Sequence, residues 1–465
     1  MVNSSTMTLI VIVMALYFVG MIAISWMGRK YGKNFDDFIS AGRNCTTLMI
    51  IGSAVGSHIG NGYVVGGAAS GAAVGLSGAW YGIGCALSYL AVALVLNHRV
   101  YKCGYISLPE ILNARYGEKM TSVIFSVTTA LSYIANIAAQ LMAGKALFEA
   151  LGFNGTLGVW VIAVVVMAYS CISGLWGACA TSVVQVAIII VSLLATFFIV
   201  LGRGALGLVT EAVANGLAPA SYFDMGADGF AAILITIVPI SLAALCEQCT
   251  VQRITSAKSE KTSFRALILS VVIMIPCALM PAFIGMYGYV LFGDTTNSVF
   301  FKVALDVLPG FFAALLIAAV VAAIMSTIDT MFVAFSTIIM HNIYRGMINP
   351  NASEGTLKKG DFACHLFLTV GAAVIALQFS SILDLLWAMY NFCAACCFAP
   401  FIGGLFWKKG TAKGAIASTI VGFIYIALNM AGIVPSTTLL SIFSFLPAAV
   451  AYIIVSLLLN HSEIS

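Results

Sequence analysis

Residues 51–67, IGSAVGSHIGNGYVVGG, decide how the rest of the chain is interpreted. They lie inside a hydrophobic run long enough to enter a membrane, yet residues 56–62 read GSHIGNG. Glycine costs a helix about 1 kcal/mol relative to alanine. A broken helix within lipid is tolerated only where its freed N–H and C=O groups face a cavity, a ligand or an ion. The stretch therefore predicts a discontinuous helix near the bilayer midplane, although such glycines are also typical of a face where two helices pack closely.

The composition predicts an all-α polytopic membrane protein. Of the 465 residues, 62% are hydrophobic and 8% are charged, whereas soluble domains carry about 25% charged residues. The mean hydropathy is +1.07. Apolar runs near the length that spans a bilayer recur along the chain and leave no room for a sizeable soluble domain. About thirteen transmembrane helices are predicted, at residues 7–27, 45–74, 79–97, 120–148, 155–173, 182–201, 229–251, 266–292, 309–343, 362–380, 384–405, 413–432 and 438–459.

The basic residues predict the orientation of these helices. With the N-terminus outside, 18 of the 21 Lys and Arg residues fall on the cytoplasmic side, and only Arg203 and Lys302 fall in outside loops. Such an excess of cations is typical of cytoplasmic loops. We therefore expect a multi-pass protein of the plasma or inner membrane, with the N-terminus outside and the C-terminus in the cytoplasm. The first segment lacks a basic start, so we expect an anchor rather than a cleaved signal peptide.

Several motifs resemble the sodium:solute symporter family, which includes carriers for proline, sugars, sialic acid, pantothenate and choline. They occur in the family's order at residues 35–44 (FDDFISAGRN), 104–110 (GYISLPE), 173–176 (SGLW) with Gln185, 252–258 (QRITSAK) and 325–329 (MSTID). The resemblance implies the LeuT-like fold, an inverted repeat of five plus five helices in which the first helix of each half is discontinuous. The repeats would be residues 45–201 and 229–405. One extra helix with a cytoplasmic loop, 1–44, would precede them, and two helices, 406–465, would follow.

Residues 242–253, LAALCEQCTVQR, predict the second break independently of the resemblance. Glu247 and Gln248 lie in the middle of this span. An acid at a helix centre costs roughly 2.5–3.5 kcal/mol on insertion scales, so Glu247 is not expected to face lipid. Interrupted helices at equivalent places in two halves are typical of secondary transporters, whose sites lie at such breaks.

Ser326 and Thr327 are adjacent hydroxyls in an otherwise apolar span. These side chains either bond back to carbonyls of their own helix or offer oxygen ligands to a hard cation. The family resemblance favours the second interpretation, because the family's main sodium site uses such a pair. It also implies that the carbonyls of Gly56, Ile59 and Ala323 complete a site for Na⁺ as the coupling ion.

By the same resemblance, Ser182 stands where family members with a second sodium site, and several without one, carry an aspartate. Because the formal charge is missing, we expect one coupling ion rather than two, and proton coupling becomes an alternative. Asp329, one turn beyond Ser326, either supplies charge in its place or is an interior acid held by hydrogen bonds.

The solute is expected to bind between the two breaks, where polar side chains from three helices converge. The candidates are His58, Asn61, Tyr63, Tyr133, Asn136, Gln140, Glu247 and Gln248. Tyr133, Asn136 and Gln140 are spaced i, i+3, i+7 and share one helical face. Each of these side chains could instead join two helices, at about 0.6 kcal/mol per contact.

Glu247 has no evident Lys or Arg partner within the predicted spans. A buried carboxylate in that position binds a substrate ammonium, binds a coupling ion or becomes protonated, and we favour the ammonium. The choline carriers of the family use an aromatic cage, which suits a quaternary amine. Their cage tryptophans fall on His58, Ala135 and Glu247, so choline recognition in that manner is not expected.

The chain has twelve cysteines, and two pairs of them have the CxxC spacing of redox and metal sites, namely Cys246–Cys249 and Cys393–Cys396. Both lie within hydrophobic helices, where cysteine usually packs as a small apolar residue, and we favour packing.

Together these features predict a secondary active transporter that imports a small polar organic solute, an amino acid or an amine, by sodium-coupled symport. The alternatives are a proton-coupled or uncoupled facilitator of the same fold, a carrier of choline-like amines with a non-standard site, and a sensor, although no signalling domain follows the last span before Ser465. An enzyme is not expected, because the loops are too short for a catalytic domain. The expected partners are the solute, sodium and membrane lipid, with no nucleic acid, and a monomer would suffice.

Overall fold

The structure, a computed structural model, describes residues 4–32, 34–171, 174–434 and 442–462, and 84% of it is helical. The helices up to residue 214 are α1 (Ser4–Gly28), α2 (Phe35–Ser40), α3 (Thr47–His58), α4 (Gly67–Val74), α5 (Trp80–Ala91), α6 (Asn97–Cys103), α7 (Leu108–Tyr116), α8 (Lys119–Ala150), α9 (Gly155–Ser170), α10 (Gly174–Gly202) and α11 (Ala205–Ala214). The helices beyond it are α12 (Gly229–Leu245), α13 (Gln248–Thr255), α14 (Glu260–Phe292), α15 (Ser298–Lys302), α16 (Gly310–Ser336), α17 (Glu354–Ala376), α18 (Ile382–Cys393), α19 (Ala399–Phe406), α20 (Ala412–Met430) and α21 (Leu446–Ser462).

Wider π-helical turns adjoin several of these helices. They are Gly62–Gly66 before α4, Val92–Leu96 between α5 and α6, Val303–Val307 after α15, Thr337–Ile348 after α16 and Ala394–Phe398 between α18 and α19. Such turns are often found at functional sites, and the first of them lies directly after the predicted break.

The number of spans differs from the prediction in a way that the helix lengths explain. Within the described residues, nine helical segments are long and apolar enough to cross a membrane, and ten if the bent pair α12–α13 is one span. Helices nevertheless lie over all thirteen predicted segments. The two counts differ because α9 and α21 are short, and because one continuous segment, Gly62–Cys103, runs through parts of two predicted spans.

The centre of the bundle is α16, which is buried along almost its whole length. It packs against α10, α1 and α8, while α14 packs against α4 and α5. The α4–α14 contact is a close approach of two backbones, because a methyl group at Gly285 would overlap the carbonyl of Ala68. Small residues permit such contacts in membrane proteins. The all-helical architecture with a break near the start of each half is the predicted one.

The two broken helices are joined at one end of the bundle by a single bridge of parallel strand type. The N–H of Cys45, just before α3, donates to the carbonyl of Ser256 at 3.0 Å, and the N–H of Lys258 donates to the carbonyl of Cys45 at 3.1 Å. These bonds fix the start of the first broken helix against the end of the second.

The loops that carry most of the basic residues meet at this same end, which we call the basic end. Arg99 donates to the carbonyl of Leu405 at 2.9 Å, and Arg43 donates to that of Gly104. The convergence of these loops at one end is what the distribution of Lys and Arg in the sequence requires.

Candidate functional site

The first helix of the first half is interrupted directly after His58. Ile59 leaves the helical region at φ −74° and ψ 48°, and its N–H makes the last helical bond, to Val55 at 2.7 Å. The chain resumes when the N–H groups of Tyr63 and Val64 both donate to the carbonyl of Gly60, at 3.1 Å. The break predicted from residues 56–62 is therefore present.

The equivalent helix of the second half is also interrupted. The axes of α12 and α13 differ by 55°. Of the two residues between them, Cys246 and Glu247, the second is extended at φ −94° and ψ 133°. Its side chain leaves the helical register of α12, because the residue itself is no longer helical. Both breaks thus present backbone and side-chain polar groups within the bundle.

The hydroxyl pair of α16 lies against the first break. Ser326 Oγ donates to the carbonyl of Gly56 at 2.8 Å, and Thr327 Oγ1 lies 3.4 Å from the same oxygen and 3.3 Å from the carbonyl of Ser57. Both hydroxyls also reach the carbonyl of Ala323 on their own helix, at 3.1 Å and 2.9 Å. Each hydroxyl has one proton, so it donates either to the carbonyl within α16 or to one on α3, and both acceptors are within reach.

Four of the five predicted sodium ligands are brought together in this way. Among the described residues, Ile59 makes no hydrogen bond to the pair, and Ser57 contributes the additional carbonyl. The glycines serve close packing as well, because a Cβ atom at Gly56 would lie 3.1 Å from Ser326 Cβ, and one at Gly60 would lie 2.9 Å from Thr327 Oγ1. The cluster consists of oxygen atoms, the ligand type that hard cations prefer.

A small cavity of about 20 Å³, enough for about one water molecule, lies between the two breaks. It contains four of the eight predicted solute-binding residues, namely His58, Tyr133, Asn136 and Glu247. Its wall also includes Thr129, Ser132, Ala243, Ala244, Cys246, Met389, Tyr390 and Cys393. Its wall combines apolar side chains with a few polar groups, as small-molecule sites do, but its volume is far below the roughly 300–1,000 Å³ of such sites.

Asn61 and Gln140 support the cavity from behind its wall. The N–H of Asn61 donates to Gln140 Oε1 at 3.1 Å, and Gln140 Nε2 donates to Asn136 Oδ1 at 3.3 Å. The first break is thereby connected to the polar face of α8. Among the described residues, Asn61 and Gln140 are therefore hydrogen-bonded to the cavity wall through Asn136.

Tyr63 and Gln248 lie away from the cavity. The hydroxyl of Tyr63 donates to the carbonyl of Met274. Gln248 Oε1 accepts a hydrogen bond from the N–H of Leu108 at 2.7 Å and so holds the start of α7. Both were predicted as solute-binding residues, and both instead connect helices. Each lies in the helical stretch that follows a break, and the orientation of that stretch directs the side chain away from the cavity.

Ser182 and Asp329 are both buried, and each has a hydrogen bond. Ser182 Oγ donates to the carbonyl of Ala178, four residues earlier in α10, at 2.7 Å. Asp329 accepts a hydrogen bond from the hydroxyl of Ser170 at the end of α9. Asp329 therefore points towards α9, which agrees with the alternative of an interior acid held by hydrogen bonds.

Arg253 is the buried charged residue beside the first break that the sequence analysis missed. It was counted among the cytoplasmic cations, but its side chain is buried, with 2% of the residue exposed. It donates to Ser57 Oγ at 2.6 Å, Ser53 Oγ at 3.1 Å and the hydroxyl of Tyr89 at 3.2 Å. It forms no ion pair with Glu247 within 4.0 Å in the described part of the chain. Arg253 lies six residues after Glu247 in the short helix that follows the second break, and this position is the signal that could have predicted its burial.

The cysteines of the second break take part in packing. All twelve cysteines are free thiols. Cys249 Sγ lies 3.3 Å from the hydroxyl of Tyr133, and Cys393 Sγ lies 2.9 Å from Ser132 Oγ. Within the ranges that the structure describes, no group of three or more His, Cys, Asp or Glu side chains could hold a metal ion.

Two tyrosines separate the cavity from a vestibule of about 320 Å³. Tyr81 lines the vestibule and Tyr390 lines the cavity, and their hydroxyl oxygens lie 3.3 Å apart. Trp387, one turn before Tyr390, also lines the vestibule. The barrier between the two spaces is therefore thin.

A charged cluster lies at the basic end of the bundle. Glu110 lies 2.5 Å from His341 Nε2, and Asp36 pairs with Arg345 and lies 3.3 Å from His341 Nδ1. Burial raises the pKa of Glu110, but its contacts with His341 and with the backbone N–H groups of residues 106 and 107 outweigh that effect and hold the pKa below its usual range. The cluster joins α2, α7 and the end of α16.

Comparison with known proteins agrees with this arrangement. The sequence profile of the sodium:solute symporter family matches residues 38–422. The chain is 25% identical to the sodium/proline symporter of Escherichia coli over 89% of this chain and 86% of that protein. It is 24% identical to the sodium/glucose cotransporter 1 of Oryctolagus cuniculus over 89% of this chain and 70% of that protein. The structure superimposes on a sodium-coupled sialic acid symporter, solved in a substrate-bound outward-open state, with a TM-score of 0.81 and 18% identity over 97% of this chain and 98% of that one.

The profile covers most of the chain, and the structural similarity extends over nearly all of it. The fold and the family that the motifs indicated are thereby confirmed, and with them sodium as the coupling ion. The chain belongs to the sodium:solute symporter family.

Proposed function

We propose that this chain imports a small polar organic solute, an amino acid or an amine, together with Na⁺. The observation that carries the proposal is the meeting of Ser326 and Thr327 with the Gly56 carbonyl beside a cavity that contains Glu247. Family membership supports sodium-coupled transport. The sodium/proline symporters among the relatives support a solute of the amino-acid class.

We assign the sodium site to the carbonyls of Gly56 and Ala323 and the hydroxyls of Ser326 and Thr327, with the Ile59 carbonyl as a further ligand. A sodium ion among these oxygens would replace the hydrogen bonds that now join α16 to α3. The ion would then bind the two helices to each other. Its release would weaken the same contact, which is how ion binding can be coupled to movement of the first broken helix.

The solute would lie in this cavity, widened by movement of its walls, with its ammonium group against Glu247. Tyr133, Asn136 and His58 would supply the remaining polar contacts. The charge of Glu247 needs compensation in a closed apolar environment, and Arg253 makes no ion pair with it. A cationic group of the solute would provide that compensation, which supports an amine over an uncharged sugar.

The wider arrangement is proposed on the same basis. Residues 45–201 and 229–405 would form the two inverted repeats, flanked by residues 1–44 and 406–465. The basic end would face the cytoplasm, with the N-terminus outside and the C-terminus inside. The Tyr81–Tyr390 contact would close the outer path, and the Glu110–His341 cluster would close the inner one. We ascribe transport rather than catalysis to the chain, and one copy surrounded by lipid would be sufficient.

Uptake into proteoliposomes tests the proposal. We expect an inward sodium gradient to drive accumulation of radiolabelled L-proline or another member of a panel of amino acids and amines. Equal sodium on both sides should give equilibration without accumulation. Accumulation driven by an acid exterior without sodium would indicate proton coupling, and flux that is indifferent to both gradients would indicate a facilitator.

A further inference from the structure

The vestibule lies on the other side of the Tyr81–Tyr390 pair from the central cavity. Its volume of about 320 Å³ is within the roughly 300–1,000 Å³ of small-molecule sites. The central cavity, in contrast, has room for about one water molecule. Of these two spaces, the vestibule is therefore the one that accommodates an organic molecule in this conformation.

Two hydrogen bonds join the walls of the vestibule to each other. The N–H of Leu76 donates to the carbonyl of Tyr222 at 2.8 Å, and Trp80 Nε1 donates to the carbonyl of Met225 at 2.7 Å. These bonds attach the segment before α12 to the start of α5. Asp228, the last residue of that segment, thereby lines the same space as Trp80. The meeting of the two side chains is thus fixed by contacts between segments far apart in the chain.

Asp228 is the one charged side chain among the described residues that line the vestibule. It immediately precedes α12, where aspartate often caps a helix, but its side chain makes no capping hydrogen bond. In the described part of the chain it forms no ion pair. Lys302, a basic residue of an outside loop, is engaged with Asp294 at 2.7 Å. The vestibule therefore carries a negative charge that no described side chain neutralises.

Aromatic rings form another part of the wall, at Trp80, Tyr81 and Trp387. The indole N–H of Trp80 and the hydroxyl of Tyr81 already have partners within the protein. Both tryptophans are half-buried, and among the described residues no Lys or Arg lies over either indole. A cation within about 6 Å of an aromatic ring is attracted by its quadrupole, most strongly by that of tryptophan. The rings therefore suit a cation that comes from outside the protein.

Two hydroxyl groups of the wall are directed elsewhere. Ser77 Oγ donates to the carbonyl of Val74 at 3.0 Å, and Thr236 Oγ1 donates to that of Ala232 at 3.2 Å. The protons of these hydroxyls are used within the protein. The wall therefore offers a ligand charge and ring surface, which an ammonium ion can use even when it has no N–H group.

We infer that the vestibule is a binding site for organic ammonium ions, quaternary ones included, and that it is separate from the central cavity. Asp228 supplies the opposite charge, and the indoles of Trp80 and Trp387 contact the alkyl groups around the nitrogen. The inference goes beyond the proposed function, because it names a second site that uses neither Glu247 nor the proposed sodium ligands.

Binding of radiolabelled choline to the purified full-length chain, in potassium and without sodium, tests the inference. We expect saturable binding that tetramethylammonium displaces. Dimethylbutanol, the analogue of choline with carbon in place of the charged nitrogen, should displace it at least tenfold less well, because it has no charge for the rings and the carboxylate to attract. A lack of saturable binding, or equal displacement by the uncharged analogue, would overturn the inference.

Substitutions in the vestibule locate the site. Trp387→Leu should weaken choline binding about fivefold, because a ring contact is lost, whereas Trp387→Phe keeps a ring and should lie close to the wild type. Asp228→Asn should weaken binding about threefold in dilute salt and have no effect in about 1 M salt, where exposed charges are screened. Asp306→Asn removes a charge at an exposed position outside the vestibule and is the matched control.

Glu247→Gln separates the vestibule from the central cavity, and it should leave choline binding in potassium unchanged. Loss of binding in Glu247→Gln, with normal binding in Asp228→Asn and Trp387→Leu, would assign choline to the central cavity and overturn the inference. Because Asp228 is exposed, its variant keeps the test decisive if Trp387→Leu does not fold. Choline binding as expected, with solute uptake that ignores the sodium gradient, would count against the proposed function alone.

Discussion

The two helix breaks lie at equivalent places in the two halves, yet they are built differently. The first break, between His58 and Gly62, is made by glycines and offers carbonyl oxygens to the hydroxyls of α16. The second break has neither glycine nor proline at the interruption itself, and it presents the carboxylate of Glu247 to the cavity. A break that offers backbone oxygens suits a small hard cation, and one that offers a charged side chain suits an organic ion. The comparison teaches that one architecture can separate ion binding from solute binding. One break exposes backbone carbonyls and the other exposes a charged side chain.

Filling the first break should have the largest effect. A Cβ atom at Gly60 would lie 2.9 Å from Thr327 Oγ1 and 3.0 Å from Gln140 Oε1. We expect Gly60→Val to lower sodium-driven uptake about a hundredfold, because overpacking costs about 1–3 kcal/mol. Gly207→Val is the control, since a Cβ atom at that position has no neighbour within 4 Å. Normal uptake by a stable Gly60→Val protein would show that close contact at the first break is not needed.

Neutralising the second break should affect the solute and leave the ion site intact. We expect Glu247→Gln to weaken binding of cationic or zwitterionic solutes at least tenfold, because a hydrogen bond to a charged group contributes about 1.5–3 kcal/mol. Thermal stabilisation by sodium alone should be unchanged, and Glu211→Gln, at an exposed position, serves as the control. If Glu247→Gln abolishes stabilisation by sodium instead, the division between the breaks is wrong.

Removing one hydroxyl should give the converse result. We expect Thr327→Ala to raise the sodium concentration for half-maximal uptake about tenfold, because one of few oxygen ligands is lost. Solute affinity at saturating sodium should remain, and Thr327→Ser should behave as the wild type. Thr210→Ala is matched to it, since the exposed Thr210 only bonds back to the carbonyl of Leu206, at 2.7 Å. Unchanged sodium activation in Thr327→Ala would remove this residue as a ligand.

The smallest effect is expected at the basic end. There Gln248, from the second break, holds the start of α7, and Glu110 belongs to the charged cluster. The pKa of Glu110 is lowered in the folded protein, so its carboxylate stabilises the fold above the unfolded pKa, near 4.3, and this contribution is lost as the pH falls through the folded value. We expect Glu110→Gln to lower stability by about 0.5–1 kcal/mol at pH 7.

Thermal unfolding at pH 7 and pH 4 provides the measurement for Glu110. The difference between the wild type and Glu110→Gln should shrink at the lower pH. Glu118→Gln, a change at an exposed residue just after α7, should show no difference at either pH. A difference that grows on acidification would contradict the assigned role. In that event α7 would not connect the second break to the charged cluster of Glu110 and His341.

The sequence was informative where a property is local. Glycine content located the break after His58, because glycine weakens a helix wherever that helix packs. The polarity of one face of α8 placed Tyr133 and Asn136 together, because helical spacing fixes which residues share a face. The motifs indicated the family, and hence the neighbours of Ser326 and Thr327. Glu247 was singled out because a carboxylate in a hydrophobic span is costly without a partner.

The tertiary structure decided which residues of other helices contact a given helix face, because the sequence of that face alone does not specify them. Glu247 and Gln248 are adjacent in sequence, but the extended conformation of Glu247 places them in different helical registers, so one lines the cavity and the other caps α7. Arg253 resembles the loop cations in sequence, and only the packing of α13 against α3 and α5 buries it. By itself the sequence determined the helices, both breaks and the hydroxyl pair, since these follow from residue type and period. Which polar groups meet was decided by the packing of helices far apart in the chain, because hydrogen-bond partners 200 or more residues away, such as Ser53 and Arg253, depend on helix orientation and not on local composition.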